Sequence, residues 1–277
     1  MEGLVLALAS AAAFGTADFL GGLATRRASA LLVTLSAHLT GAVVVVPVLF
    51  LVRTPVDPAS LAWGAASGVF GCAGAVVFFR ALASGAMAAA APVTAIVSAA
   101  LPVLAGVLLG ERPGPLAWLG VGAGLLAVGA ISRGGDPSVP LERRTLMLAV
   151  GAGIGFGLFF ICLSRASHDS GLWPLLGARV GSLSMLAAVI LGVRMSWRAE
   201  RGALRLGAVS GAVDMTANAL FLLATRQGGL ALVAVLTSLY PGATVLLALV
   251  ILRERLRAAQ LVGVALALLA VALIASG

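Results

Sequence analysis

The stretch "ERPGPLAWLGVGAGLLAVGAI" occupies residues 111–131, and a related stretch, "ERLRAAQLVGVALALLAVALI", occupies residues 254–274. Both begin with Glu-Arg, and both contain the run Leu-Leu-Ala-Val. The same shift of 143 positions aligns residues 61–131 with residues 204–274 without a gap. Because about a third of these aligned positions are identical, the sequence predicts an internal duplication.

The composition places this duplicated chain in a membrane. Of its 277 residues, 61% are hydrophobic and only 10% are charged, whereas soluble domains carry about 25% charged residues. A helix needs about 20 apolar residues to cross a bilayer. Windows of that kind predict an all-α integral membrane fold with ten transmembrane helices, at 3–24, 30–52, 60–80, 88–110, 115–132, 145–163, 173–193, 206–224, 229–252 and 258–276.

The duplication divides these windows into two sets of five. Phe14-Gly15 aligns with Phe156-Gly157 at a shift of 142 positions, which extends the match to the first helix of each half. We therefore predict a first repeat at 1–132, a connecting loop at 133–144 and a second repeat at 145–277. An odd number of crossings makes the two repeats enter the membrane from opposite sides, an arrangement typical of secondary transporters.

Several motifs carry a resemblance to a known family. They are "GER" (110–112) and "RER" (253–255), "WLGVGAGLLAVG" (118–129) and "QLVGVALALLAV" (260–271), and the opening "FGTADFLGG" (14–22). Together with two five-helix repeats, these motifs resemble the drug/metabolite transporter superfamily, EamA type. The resemblance implies transport of small metabolites or drugs, and termini on the cytoplasmic side.

Two aspartates lie within predicted membrane helices. An ionisable group at such a depth costs about 3 kcal/mol and usually faces the bundle interior or an aqueous cavity. Asp18 is interpreted either as an anchor near the helix end or as a group that binds an amine or carries a proton. Asp214 shares one helix face with Ser210 and Asn218. We expect this polar face to line a cavity, with hydrogen bonding between helices as the alternative.

Further candidates lie on other helices. Hydroxyl groups on helices 4 and 9 are predicted to line the substrate path: Thr94, Ser98, Thr237 and Tyr240. Phe156 and Phe160 are predicted to stack on a substrate, although they also fit a core or lipid-facing position. His38 is a candidate for proton transfer with Asp18 and Asp214, but a neutral histidine bonded to a hydroxyl is favoured slightly. For Arg179 we favour a side chain that extends to the interface over a clamp for a substrate carboxylate or a pair with Asp214.

Other functional classes are disfavoured. All 18 basic residues are arginines, nearly all between the windows, and we interpret them as interfacial anchors rather than as a nucleic-acid surface. Cys72 and Cys162 lie inside windows, so we expect no metal and no cofactor. An intramembrane aspartyl enzyme would need Gly-x-Gly-Asp, which neither "GTADF" nor "SGAVDM" matches. We expect no enzyme activity.

These features predict a secondary transporter that works by alternating access. We expect it to export small amine-containing or amino-acid-like molecules from the cell as a multi-pass protein of the inner membrane, monomeric or weakly self-associating, in contact with lipid and exchanging protons. A passive facilitator or importer is the alternative. The orientation is in conflict: cytoplasmic termini would place 13 arginines outside and four inside, the reverse of the positive-inside rule.

Overall fold

The computed structural model of the chain describes residues 2–52, 54–84, 87–108, 114–133, 142–163, 165–192, 200–227, 237, 240–253 and 258–276. Ten α-helices lie in these residues: α1 (Glu2–Ala24), α2 (Ala30–Val52), α3 (Pro58–Ala83), α4 (Met87–Leu108), α5 (Pro115–Arg133), α6 (Arg143–Leu163), α7 (Trp173–Gly192), α8 (Arg201–Gln227), α9 (Tyr240–Ile251) and α10 (Ala258–Ser276). A short 3-10 helix, His168–Ser170, precedes α7.

The helices coincide with the predicted windows to within a few residues at most ends. Six of them, α1, α2, α3, α6, α7 and α8, are long and apolar enough to cross a membrane. Two shorter apolar segments lie in α9 and α10, at Gly242–Ile251 and Leu261–Ala270. Residues 229–236, 238 and 239 of the predicted ninth window lie outside the described residues, as do most residues of the "GER" and "RER" motifs.

Local sequence explains the beginnings of α3 and α7. Asp57 caps α3 by accepting a hydrogen bond from the backbone N–H of Ala59, and Pro58 occupies the first turn, where a missing N–H costs nothing. Pro174 is the second residue of α7, directly after Trp173, and so also lies in a first turn. Both prolines therefore favour the helix start rather than interrupting the helix.

Most helix packing occurs between the first five helices and the last five. The main pairs across this division are α1 with α8, α3 with α6 and α7, α2 with α8, α4 with α6, α5 with α10, and α1 with α9. When each helix is exchanged for its counterpart five positions along, the pair α1–α8 becomes α6–α3, and α2–α8 becomes α7–α3. The packing thus has the same internal relationship as the sequence.

Glycines allow the closest of these contacts. A Cβ atom added at Gly68 on α3 would collide with the backbone carbonyl of Ala178 on α7, and one added at Gly211 on α8 would collide with that of Ala37 on α2. Gly68 and Gly211 are 143 positions apart, the shift of the duplication. Small residues at such interfaces let helix backbones approach each other in a membrane, and here they let α7 pack closely on α3 and α2 on α8.

Candidate functional site

An ion pair inside the bundle joins Arg179 of α7 to Asp214 of α8. Nη2 of Arg179 lies 2.5 Å from Oδ2 of Asp214, and the arginine side chain is only 9% exposed. The prediction that Arg179 extends to the interface is therefore wrong, and its pairing with Asp214, a weaker alternative in the sequence, is what the structure shows. A fixed carboxylate holds the guanidinium inside because an unpaired buried charge is costly.

The guanidinium of Arg179 lies against a glycine of α2. A Cβ atom added at Gly41 would come within 2.9 Å of Nε and 3.1 Å of Cζ of Arg179. The absence of a side chain at Gly41 therefore makes room for the guanidinium. Within the described residues, Nε has no hydrogen-bond partner, so two of the three guanidinium nitrogens carry its contacts.

His38 of α2 provides the second contact of Arg179. Nη1 of the arginine lies 3.1 Å from Nδ1 of His38, and Oγ of Ser182 lies 2.7 Å from the same nitrogen. A guanidinium only donates hydrogen bonds, so Nδ1 accepts from Arg179 in the tautomer that carries its proton on Nε2. The hydroxyl of Ser182 also lies 3.0 Å from the carbonyl of Arg179, to which it donates. The prediction of a histidine bonded to a hydroxyl is confirmed, and the neighbouring arginine is an addition to it.

Asp18 of α1 belongs to the same group of charges. It follows Ala17, whose carbonyl accepts from Ser210 of α8 one turn before Asp214, and its charge is close enough to act on Asp214 and on Tyr240 at the start of α9. Ser98 of α4, another predicted lining residue, donates its hydroxyl to the carbonyl of Ala95 in the same helix at 3.0 Å. Among the described residues, no ion-pair partner of Asp18 is found. The structure thus brings two acids together, of which only Asp214 has a cation beside it.

Several predicted lining residues form hydrogen bonds to backbone carbonyls, between helices or within one. The hydroxyl of Ser210 donates to the Ala17 carbonyl at 2.7 Å, and that of Thr94 donates to the Ala149 carbonyl at 3.0 Å. Asn218 donates its side-chain amide to the Asp214 carbonyl, one turn earlier in α8. All three are buried. These contacts favour hydrogen bonding between and within helices over cavity lining, and a role in binding substrate stays a prediction for all three.

The two phenylalanines have different surroundings. Phe156 packs edge-on against Phe78 at 5.7 Å between ring centroids, and it adjoins the largest cluster of buried residues. Phe160 contacts Phe159 at 5.3 Å. A core position therefore explains Phe156, and stacking on a substrate stays a prediction for both. Thr237 is also buried, and its Oγ1 has no partner among the described residues.

The sequence reasoning underestimated Arg179 and gave Gly41, a neighbour of His38 on α2, no part in holding the arginine. One signal was available, because Arg179 lies 141 positions after His38, close to the shift of the duplication. The shift makes α2 and α7 counterparts in the predicted duplication, and these two helices pack together. Within the described residues, no group of three or more His, Cys, Asp or Glu side chains has the arrangement of a metal site.

The fold and the charged group in its interior define a multi-pass α-helical membrane protein. The chain belongs to the EamA-like transporter family, whose sequence pattern matches residues 1–133 and 143–276. It is accordingly a membrane transporter of small molecules, in agreement with the resemblance to the drug/metabolite transporter superfamily.

Similarity to solved structures supports the fold. Twelve solved chains match this one. A crystal structure among them superposes with a TM-score of 0.60 at 16% sequence identity, over 96% of this chain and 97% of that chain. At this identity the match shows a shared fold. No curated protein matches the sequence.

Proposed function

We propose that the protein is a secondary transporter that exports a small organic cation or an amine-containing zwitterion by alternating access. The observation that carries this proposal is the packing of α1 against α8, which brings Asp18 and Asp214, one from each predicted repeat, close together: Ser210, one turn before Asp214, donates to the carbonyl of Ala17 at 2.7 Å. Carboxylates at membrane depth that face the interior of a bundle are typical of substrate and ion pathways. Asp18 and Asp214 are the proposed substrate ligands, with Tyr240 beside them.

The exposure of the charged groups favours a cationic partner. The Asp214 side chain is 35% exposed, whereas the Arg179 side chain is 9% exposed. A molecule that approaches this ion pair therefore meets the carboxylate before the guanidinium. An amine or quaternary ammonium would be attracted there, and the carboxylate of a zwitterion would have to point away from Asp18 and Asp214.

The packing of the two halves supports alternating access. Equivalent helix pairs recur when each helix is exchanged for its counterpart, as an inverted repeat requires. The starts of α8 and α3 are also linked to the turns that follow α1 and α6. Glu200, before α8, forms an ion pair with Arg27, after α1, and Ser60 of α3 accepts a hydrogen bond from the backbone N–H of Ser167, after α6. In the proposed cycle these two contacts lie at opposite membrane faces and open in turn.

The proposal includes proton exchange and an inner-membrane location. Asp18 is the preferred proton carrier, because among the described residues it lacks the cation that Asp214 has. His38 is a weaker candidate, since its Nδ1 accepts from Arg179 and is not free to take a proton without losing that contact. A passive facilitator on the same scaffold is the competing proposal.

The first experiment is a thermal-shift screen of the purified protein with amino acids, polyamines and quaternary amines. Asp18→Asn and Asp214→Asn are tested beside wild type, and Asp169→Asn, at an exposed turn residue, is the matched control. We expect cations to raise the unfolding temperature of wild type and of the control but not of the two variants, because a ligand stabilises only the protein that binds it.

The second experiment reconstitutes the protein in vesicles with the ligand found in the screen. Wild type is expected to accumulate the ligand against its concentration gradient when a pH gradient is imposed, whereas Asp18→Asn is expected to retain only exchange. Accumulation by Asp18→Asn would contradict proton coupling through Asp18. Flux that is insensitive to pH in wild type would establish the passive facilitator instead.

A further inference from the structure

Asp214 is reached from two sides. Arg179 contacts Oδ2 of this carboxylate at 2.5 Å, and the side chain nevertheless keeps 35% of its surface exposed. A ligand therefore reaches the carboxylate without first displacing the arginine. The guanidinium of Arg179 and a cationic ligand then compete for the carboxylate of Asp214.

Arg179 has a second acceptor that does not depend on Asp214. Nδ1 of His38 lies 3.1 Å from Nη1, and Gly41 leaves room for the guanidinium beside α2. Among the residues that the structure describes, the other titratable groups near Arg179 are Asp214 on α8 and the thiol of Cys72 on α3. If Asp214 turns to a ligand, the guanidinium keeps the contact with His38, so its release from the carboxylate leaves it with a hydrogen-bond acceptor.

We propose that Arg179 is a tethered counter-ion of Asp214, a positioning residue that sets how strongly the site holds a cationic substrate. The inference rests on the proposed function, because it assumes that a cation binds at Asp214. In the empty protein the guanidinium neutralises Asp214. In the loaded protein the substrate cation takes that place, and Arg179 stays with His38.

This role predicts effects of opposite sign at two neighbouring residues. Arg179→Gln removes the competing cation, so an added cation should bind more tightly. His38→Ala removes the alternative acceptor, so the arginine should hold Asp214 more firmly and an added cation should bind more weakly. If Arg179 and His38 only supported the structure, both substitutions would weaken binding.

The experiment measures binding of two probes, methylguanidinium and tetramethylammonium, by isothermal titration to the purified full-length protein. We expect Arg179→Gln to bind methylguanidinium about tenfold more tightly than wild type does, the size of a typical coupling between two ligands. His38→Ala should bind it several-fold more weakly. Arg179→Lys retains a tethered cation and should stay close to wild type, and Arg179→Gln combined with Asp214→Asn should not bind.

Two results would overturn the inference and leave the cation site standing. In the first, wild type binds the probes, Asp214→Asn does not, and a monodisperse Arg179→Gln binds them as tightly as wild type does or more weakly. The other, decisive if Arg179→Gln does not fold, is equal or tighter binding by His38→Ala. If none of the proteins binds either probe, Arg179→Gln included, the proposed cation site itself is wrong.

Discussion

Arg179 and Asp214 form an ion pair between two helices of the same predicted repeat, α7 and α8, with 2.5 Å between Nη2 and Oδ2. The charge of the second half is thereby compensated locally. Asp18, from the first half, has no cation among the described residues and interacts with Asp214 and Tyr240. The two halves have therefore become chemically different at the centre, although their helices pack in equivalent pairs.

Breaking the ion pair from either side should destabilise the protein, because each change leaves a charge without its partner. We expect Arg179→Gln and Asp214→Asn each to lower the free energy of unfolding by about 3 kcal/mol, the lower end of the range for buried pairs, since Asp214 is partly exposed. The double variant should recover most of this loss. Chemical denaturation in detergent measures all three, with Arg205→Gln, at an exposed position of α8, as the control.

A pair of glycine substitutions tests the close approach of α3 to α7. A Cβ atom at Gly68 collides with the Ala178 carbonyl, whereas one at Gly122 of α5 meets nothing within 4 Å. Gly68→Ala should cost about 1–3 kcal/mol through overpacking, and Gly122→Ala should stabilise by about 0.5–1 kcal/mol, the usual gain in a helix interior. Equal unfolding temperatures for the two variants would contradict this packing.

The sequence was sufficient to predict the helices. Runs of apolar residues identify membrane helices because the bilayer requires both their length and their composition, and α1, α2 and α10 begin and end within a residue of the windows. The duplication also indicated which helices are equivalent. These features depend on local composition and on register, which a single sequence contains.

The sequence was less informative about where polar side chains point. Arg179 lies near a helix end, where a long side chain reaches the interface easily, and nothing local reveals that Asp214 and His38 are closer. Ser210 shares a helix face with Asp214, but its hydroxyl finds the Ala17 carbonyl on another helix. Such choices depend on which helices are neighbours, and helical periodicity does not contain that information.

Substitution of Ser210 separates its two possible roles. If the hydroxyl serves helix packing, Ser210→Ala should lower the free energy of unfolding by about 0.6–1.7 kcal/mol, as for other hydrogen bonds between membrane helices, and leave cation affinity within about twofold. Unfolding and probe titration of the same preparation measure both quantities. Thr94→Ala is the matched comparison, since its hydroxyl also donates to a neighbouring helix. A large loss of affinity in Ser210→Ala would establish the role in binding.

The cap of α3 predicts a dependence on acid pH. The pKa of Asp57 is held below its usual value of 3.8, chiefly by the hydrogen bond from the Ser60 hydroxyl and also by that from the backbone N–H of Ala59. A lowered pKa in the folded state contributes stability that is present above the unfolded value and is lost as the pH falls through the folded one. Below pH about 4, the unfolding temperature of wild type should therefore fall by more than that of Asp57→Ala does. Parallel acid profiles for the two proteins would contradict the cap.

The orientation of the chain can be tested at two exposed turns on opposite faces of the proposed bundle. Gly202 lies in the first turn of α8 beside Glu200, and Asp169 lies in the turn before α7. With cytoplasmic termini, Gly202→Cys should react with a membrane-impermeant maleimide in intact cells, and Asp169→Cys only after permeabilisation. The native thiols Cys72 and Cys162 are buried, so wild type is a low-background control. The reverse pattern would mean that the arginine distribution, rather than the family orientation, determines the topology.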